Sequence, residues 1–172
     1  MIRVNSIYLI LNLFDFFQQK KVFNFLKKRI PKNAILFDVG AHHGETILNF
    51  KKNFSFNQIH SFEASKVNFE ILKKKIIKKN KENVFINNIG LSDKKKILQI
   101  NQSYDSASST LSKINIFSKY YKKKIKILGI SEDSKYMKQL DVKLSLLDDY
   151  FVEKNLKKID LLKIDTEGHE YY

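Results

Sequence analysis

Asp38, Gly40 and Gly44 have the spacing of a ligand-binding loop at the end of an apolar segment, residues 34–39. That segment is typical of a strand buried on both faces, and apolar residues recur at roughly helical spacing after Gly44. Strand, glycine loop and helix form the first half of a nucleotide-binding βαβ unit. Gly40 lets the backbone turn and approach a ligand, and Gly44 lets the helix start pack tightly. We therefore predict that this loop cradles a ligand.

The type of ligand is narrowed by the number of glycines and by charge. A dinucleotide site favours G-x-G-x-x-G around a pyrophosphate, whereas this loop has only two glycines. We expect Asp38 to face the site from the carboxyl end of its strand, where a carboxylate repels a pyrophosphate and suits a cation. S-adenosylmethionine is such a ligand, because it carries a sulfonium and an ammonium group. An ordinary tight turn in an α/β protein is the alternative interpretation of the same motif.

A second acidic residue, Glu63, ends the next predicted strand, residues 58–63, and lies 25 positions after Asp38. A βαβ nucleotide site places there the carboxylate that accepts hydrogen bonds from the ribose hydroxyls. An exposed glutamate at a strand end is the alternative. Ser65 then has the character of a helix N-cap, because an amphipathic pattern with Leu72 and Ile76 on one face follows it.

Strand and helix signals along the chain predict an α/β fold with a doubly wound, mainly parallel, Rossmann-like sheet. We expect the strands at Ile35, Ile59 and Val84 to lie side by side, with the strand at Ile159 on the other side of the first. The further predicted elements are an antiparallel strand over 96–100, a loop over 103–112, a partly helical insertion over 113–139, a strand over 142–146, a short helix from 147 to 151 and a buried strand over 159–165.

Composition limits the classes of protein that this chain represents. The 172 residues, 43% of them apolar, suffice for one folded core, and the absence of cysteine excludes disulfides and cysteine-based metal or nucleophilic sites. The formal net charge of +14 raises nucleic acid or an anionic surface as a partner. The basic runs are scattered and consist almost entirely of lysine, which favours a solvated surface over a nucleic-acid footprint.

The N-terminal part, residues 1–32, is predicted to be an amphipathic helical segment that docks on the domain formed by residues 33–172. Its apolar run over residues 7–17 is shorter than the ~20 residues that a bilayer requires, and Asn12 and Asp15 interrupt it. No cleavage site of the small-x-small type follows it, so we expect a cytoplasmic protein without a signal peptide. Pro31, the only proline, marks the boundary between the two parts.

Together these motifs resemble the FkbM-type S-adenosylmethionine-dependent methyltransferases, over about residues 34–172. The segment 162–170, Leu-Lys-Ile-Asp-Thr-Glu-Gly-His-Glu, is similar to the signature of that family. Further similarity is found in the Phe-Asp-Val-Gly-Ala motif at 37–41 with Gly44, in Phe62-Glu63, and in residues 88–93, 108–109 and 146–150. The family mostly methylates hydroxyl oxygens of sugars and natural products, so the resemblance implies a Rossmann-like methyltransferase sheet, S-adenosylmethionine as cofactor and a carbohydrate or small-molecule acceptor.

Proton removal from the acceptor hydroxyl requires a base near the methyl group. The candidate catalytic residues are Asp165, Glu167 and His169, at the end of the strand beside the cofactor strand. The alternative is that Glu167 caps the following helix and His169 only packs. No metal is expected, because these three residues lack known ligand spacing and the adjacent His42 and His43 should point apart. The candidate cofactor-binding residues are Asp38, Gly40, Ala41, His42, Gly44, Glu63, Asn88, Gly90, Leu91 and Asp165.

The sequence departs from the family pattern in two residues and in length. His42 replaces the usual Asn, and Ala64 replaces the usual Pro after the acidic residue. The fold of the family continues for several strands after the signature, so we expect a truncated sheet with an exposed edge at residues 159–164. We also expect that these 172 residues alone do not catalyse methyl transfer, because they lack the later segments that position an acceptor. A non-catalytic basic protein that binds nucleic acid or an anionic surface is the alternative function.

Overall fold

A computed structural model of the chain describes residues 20–78, 82–103, 118–119, 122–123, 126, 137–166 and 169–170. The chain divides into two compact units, one formed by Met1–Ile30 with Ile114–Tyr136 and the other by Pro31–Lys113 with Met137–Tyr172. The predicted loop over 103–112 lies outside the described residues except for Ser103, and the predicted insertion over 113–139 lies largely outside them. The predicted division of the chain after residue 32 stays a prediction.

In the first unit, the described residues 20–27 are helical, as predicted for this segment, and are called α1. The turn after α1 is closed by two backbone hydrogen bonds, since the amides of Arg29 and Ile30 both donate to the carbonyl oxygen of Leu26. The Arg29 guanidinium lies 3.6 Å from the ring centroid of Phe25, a cation–π contact at the exposed end of the helix.

The second unit contains seven strands and three helices among its described residues. In chain order they are β1 (Ala34–Val39), α2 (Glu45–Asn53), β2 (Phe56–Phe62), α3 (Lys66–Lys78), β3 (Val84–Asn87), β4 (Gly90–Leu91), β5 (Lys96–Ser103), β6 (Met137–Ser145), α4 (Leu147–Glu153) and β7 (Leu161–Ile164).

The main sheet has the strand order β3-β2-β1-β7, and all its neighbouring strands are parallel. This order confirms the prediction that β1 lies inside the sheet, with β2 and β3 on one side and the strand of the signature motif on the other. Leu36 and Phe37 project to opposite faces of β1, and neither is accessible to solvent. The sheet is therefore covered on both faces, as a doubly wound α/β fold requires.

A smaller sheet follows the main one, with the order β4-β6-β5. β5 is antiparallel to β6, which confirms the predicted antiparallel strand, and β4 is parallel to β6. Residues 137–139 were predicted to belong to a helical insertion and are strand instead. The ladder between β5 and β6 reaches as far as the pair Ser103 and Met137, so strand pairing continues beyond the apolar alternation that marked the predicted ends.

One core cluster joins the main sheet to α4 and consists of Phe37, Val39, Phe62 and Tyr150. The rings of Phe37 and Phe62 meet the ring of Tyr150 edge-on, with centroids 6.1 and 4.8 Å from it. These contacts fix the carboxyl ends of β1 and β2, where the candidate site residues follow. α3 begins as predicted, because the Ser65 hydroxyl accepts a hydrogen bond from the amide of Asn68 at 3.4 Å.

Candidate functional site

The glycine loop, residues 40–44, leaves β1 at the carboxyl edge of the main sheet. Gly40 has a left-handed φ of 77°, and a Cβ on it would lie 1.9 Å from the carbonyl oxygen of Asp165. The sequence analysis predicted a glycine here so that a ligand could approach the backbone. The structure shows a second reason, since the main chain at Asp165, directly after β7, passes close to Gly40. Only glycine fits here, because both the φ angle and the neighbouring carbonyl exclude a side chain.

Gly44 is the N-cap of α2 and has a φ of 83°. A Cβ at this position would lie 2.7 Å from Cδ1 of Leu72, so the start of α2 packs against α3. This agrees with the predicted reason for the glycine. Ala41 is buried inside the same loop, and its amide and that of Gly40 both donate to the carbonyl oxygen of Phe62. The loop is thus held at its start by β2 and at its end by α3.

Glu63 is buried immediately after β2, and backbone amides hold both of its carboxylate oxygens. Oε2 accepts a hydrogen bond from the amide of His42 at 2.8 Å, and Oε1 accepts one from the amide of Ser65 at 2.9 Å. Burial raises the pKa of Glu63, and these hydrogen bonds oppose that rise. The carboxylate therefore connects the glycine loop to the start of α3 and keeps a fixed orientation.

Asn88 completes this half of the site, since its side-chain amide donates to the carbonyl oxygens of Glu63 at 2.9 Å and of Ala64 at 3.2 Å. Gly90 and Leu91, also predicted to bind the cofactor, lie in β4 of the smaller sheet. A Cβ on Gly90 would lie 2.5 Å from Cδ2 of Leu144, so close packing onto β6 accounts for this glycine. The structure brings Glu63, His42 and Asn88 together directly.

Asp38 was expected to face the ligand, and the structure shows its side chain fully buried, with 0% exposed. Its Oδ1 lies 3.1 Å from Nζ of Lys163 on β7. Burial raises the pKa of the Asp38 carboxyl, and Lys163 acts against this rise. A contact between Asp38 and a ligand stays a prediction, because in this structure its near neighbour is a lysine of the same chain.

The candidate catalytic residues have different surroundings. The Asp165 side chain is 64% exposed, with Oδ2 3.8 Å from Nζ of Lys163. Nε2 of His169 lies 3.1 Å from the Ser92 hydroxyl, which donates in turn to Asp93 at 3.1 Å, and burial lowers the pKa of His169. Glu167 lies outside the described residues. Of the candidates that the structure describes, Asp165 is the acid that borders the glycine loop.

His42, His43 and Glu45 form a group whose possible metal-ligand atoms all lie within 4.8 Å of one another. The prediction that the two histidines point apart is wrong, because their rings stack with centroids 3.7 Å apart. Lone pairs of stacked imidazoles lie in nearly parallel planes and do not converge on one ion. Glu45 also pairs with Nζ of Lys75 at 2.8 Å. This geometry gives no support to a metal centre at the loop.

Sequence reasoning missed the role of Lys163. Its Nζ donates a hydrogen bond to the carbonyl oxygen of Gly40 at 2.9 Å besides pairing with Asp38. A signal was present, because a lysine inside an otherwise apolar strand requires a buried partner. The partner itself lies 125 positions earlier in the chain, so spacing alone does not identify it.

The fold and the site define a Rossmann-like α/β domain with a glycine loop and an acidic residue at the carboxyl ends of adjacent strands. A family model described as the Methyltransferase FkbM domain matches residues 38–172. The chain belongs to this family of methyltransferases. No curated protein matches it significantly.

Three solved methyltransferase structures give partial matches. An FkbM methyltransferase from Methylobacillus flagellatus is 14% identical over 81% of this chain and 27% of its own, with a TM-score of 0.43. A putative methyltransferase from Streptococcus mutans, solved in complex with SAH, is 20% identical over 41% and 39%, with a TM-score of 0.36. An rRNA methylase from Streptococcus thermophilus is 15% identical over 40% and 37%, with a TM-score of 0.35. The matched part thus spans less than half of each of these structures.

Within the part of the chain that the structure describes, no helix is long and apolar enough to cross a membrane.

Proposed function

We propose that this chain is the cofactor-binding part of an S-adenosylmethionine-dependent O-methyltransferase. The observation that carries the proposal is the Glu63 carboxylate, which the amides of His42 and Ser65 fix at the carboxyl edge of the main sheet. Ligands of doubly wound folds bind at this edge, and an acid after the second strand accepts hydrogen bonds from a ribose. Membership of the FkbM methyltransferase family supports the same cofactor.

The residues around Glu63 fit a nucleoside ligand. Backbone amides hold the two carboxylate oxygens at 2.8 and 2.9 Å, and the Asn68 side chain also hydrogen-bonds to the carboxylate. A carboxylate offers about four lone-pair sites, so capacity remains for a hydroxyl donor of a ribose. Preorganisation by backbone amides limits the freedom lost on binding, which favours affinity. Glu63, held by His42 and by the anchoring contacts of Asn88, is therefore the residue proposed to hold the ribose.

Beside Gly40, at the start of the glycine loop, we propose that Asp165 takes up the proton of the acceptor hydroxyl. S-adenosylmethionine supplies an electrophilic methyl group, so the protein must orient the acceptor hydroxyl and take up its proton. Asp165 is exposed beside the loop and reaches solvent, whereas Asp38 is fully buried. His169, held by Ser92 at 3.1 Å, is the second candidate for a proton acceptor. The acceptor class that we propose is a hydroxyl of a carbohydrate or a natural product.

The test is calorimetric titration of S-adenosylhomocysteine into the 172-residue chain and into its Glu63→Ala variant. We expect binding that the substitution weakens by ~1–3 kcal/mol, because hydrogen bonds to a charged acceptor are lost. Glu70→Ala, which removes an exposed glutamate of α3, is the matched control and should bind like the parent. Circular dichroism of each variant shows whether the fold persists.

Two results would contradict the proposal. In the first, the folded parent chain does not bind S-adenosylhomocysteine at all. In the second, it binds equally well with and without the Glu63 carboxylate. Absence of binding together with salt-sensitive binding of DNA or RNA would favour the alternative of a basic nucleic-acid-binding protein, because counterion release makes such binding salt-dependent.

A further inference from the structure

Lys163 connects the end of β7 to the end of β1 through a single ammonium group. Its Nζ lies 3.1 Å from Oδ1 of Asp38, 2.9 Å from the carbonyl oxygen of Gly40 and 3.5 Å from that of Val39. Asp165, two residues further along, has Oδ2 at 3.8 Å from the same nitrogen. One cation therefore contacts a buried acid, the first residue of the glycine loop and the candidate catalytic acid.

The buried acid requires this cation. Asp38 has 0% of its surface exposed, and apart from the contact between Oδ1 and Lys163 its carboxylate oxygens have no hydrogen-bond partner within the described ranges. An isolated carboxylate in such surroundings is costly, and an opposite charge at close range compensates that cost. Lys163 is the cation at this distance, while Asp165 and Glu45 add further negative charge nearby.

We propose that Asp38 and Lys163 act as one positioning pair, in which Asp38 holds the lysine and the lysine holds the Gly40 carbonyl of the glycine loop. In this role Asp38 does not contact the cofactor. The proposal rests on the proposed function, since it assigns the loop to the cofactor. It differs from the sequence-based expectation, in which Asp38 attracts a cationic ligand directly. With Asp38 neutralised by Lys163, Asp165 is an exposed negative charge at the start of the loop, while Glu45 at its end is paired with Lys75.

Asp38 either positions the loop through Lys163 or contacts the ligand directly. Comparing Asp38→Asn, Lys163→Met and the double variant distinguishes these two roles. Lys163→Met leaves the buried Asp38 charge uncompensated, and Asp38→Asn removes the buried partner of Lys163, whereas the double variant leaves neither charge. We expect each single variant to bind S-adenosylhomocysteine about tenfold or more weakly than the parent. The double variant should bind at least about threefold more tightly than either single variant. Lys73→Met, at an exposed lysine of α3, is the control for losing a positive charge.

Hydrogen exchange measured without ligand supplies a readout that does not depend on the cofactor. The amides of Gly40 and Ala41 donate to the carbonyl oxygen of Phe62, both at 3.0 Å, so their exchange rates report on the start of the loop. We expect faster exchange at these amides in both single variants and slower exchange in the double variant than in the singles. Lys73→Met should leave their exchange at the parent rate.

Each outcome decides between the two roles. A double variant that binds as weakly as Asp38→Asn or more weakly would show that Asp38 contacts the ligand, and would overturn the pair. Unchanged exchange in the single variants would also overturn it. Single variants that fail to fold, beside a double variant that folds, would support it, and a double variant that fails to fold would contradict it. If the parent does not bind S-adenosylhomocysteine, the proposed function fails, and hydrogen exchange still decides on the pair.

Discussion

Among the described residues other than glycine, the left-handed backbone positions are occupied by asparagine with one exception. Among the described non-glycine residues, Asn33, Asn83 and Asn155 have φ angles of 60°, 62° and 50°, and His42 has a φ of 49°. Asparagine tolerates this conformation better than most side chains, because its short amide bonds to the local backbone. The FkbM pattern, with Asn where this chain has His42, therefore has a physical reason in the shape of the glycine loop.

Replacing His42 with Asn is predicted to stabilise the domain by on the order of 0.5–1 kcal/mol, since the left-handed conformation becomes less costly. The hydrogen bond to Glu63 should persist, because it comes from the main-chain amide. The contact with Glu45 that is lost is at 3.6 Å and partly exposed, so it contributes little. The stack of the His42 ring on His43 is lost equally in the control variant named below. Urea unfolding measures the change. His43→Asn, at a neighbouring position outside the left-handed region, is the control, and equal effects of both substitutions would contradict the explanation.

His60 is a buried histidine whose surroundings favour the neutral ring. It lies between Phe37 and Phe85, with each ring centroid 4.9 Å away. Nε2 lies 3.0 Å from the Gln58 side-chain oxygen and Nδ1 lies 2.8 Å from the Tyr150 hydroxyl. The Gln58 oxygen only accepts, which assigns the proton to Nε2 and makes Nδ1 the acceptor. Burial, with a smaller contribution from Lys154, lowers the pKa of His60 to about 4.

A pH dependence of stability follows from this pKa. The folded-state pKa of His60, about 4, lies below the ordinary value of 6.5, so the unfolded chain binds more protons between these values. The contribution of neutral His60 is fully present above pH 6.5 and is lost as the pH falls toward 4. We expect His60→Phe, which keeps an aromatic ring in the stack, to flatten the pH dependence of the unfolding free energy between pH 6.5 and 4.5.

Chemical denaturation of both proteins at several pH values measures this difference. His43 and His169 also have lowered pKa values, but they titrate in the parent and the variant alike, so their contribution cancels in the comparison. Parallel pH profiles for the two proteins would show that His60 does not titrate in this range and would disprove the assignment.

At the scale of elements, the sequence predicted most of the sheet, because buried parallel strands are apolar runs. β1 and β3 contain such runs, whereas β2 is more polar and was predicted as a short strand that ends in an acid. The order of the three strands follows from two strand–helix repeats. The predicted ends of the strands were less accurate, because strand pairing and side-chain contacts determine where a strand begins and ends. The strand predicted from Ile159 begins at Leu161, because the chain bends at Asp160. There the carboxylate of Asp160 accepts a hydrogen bond from the amide of Ile35 at 2.9 Å.

The sequence predicted which residues line the candidate site better than it predicted which residues contact one another there. Glu63 and the glycine loop were identified because their spacing is set by one βαβ unit, within which the chain has a regular path. The partners of Asp38 and Gly40 come from β7, more than 120 positions away, and only the folded sheet brings them together. Sequence spacing contains no information on such long-range contacts.

At the scale of the whole molecule, the main sheet presents an open edge at β7. Among the described residues this strand pairs only with β1, and its side chains Leu162 and Ile164 are 42% and 45% exposed. These two residues project to the same side of the strand, and Leu162 lies opposite Phe37 in the parallel register. The edge therefore continues an apolar face that is buried further inside the sheet, the pattern of a surface that associates with another copy.

We predict that the 172-residue chain self-associates through this edge and that Leu162→Lys weakens the association. A charge on an edge strand opposes pairing with a second strand, so we expect the self-association constant to fall by about tenfold or more, equivalent to ~1.4 kcal/mol. Light scattering and sedimentation over a range of concentrations measure this constant. Val152→Lys on α4, where the parent side chain is 78% exposed, adds the same charge away from the edge and should leave association unchanged. A monomeric parent, or an equal effect of both substitutions, would exclude β7 as the associating surface.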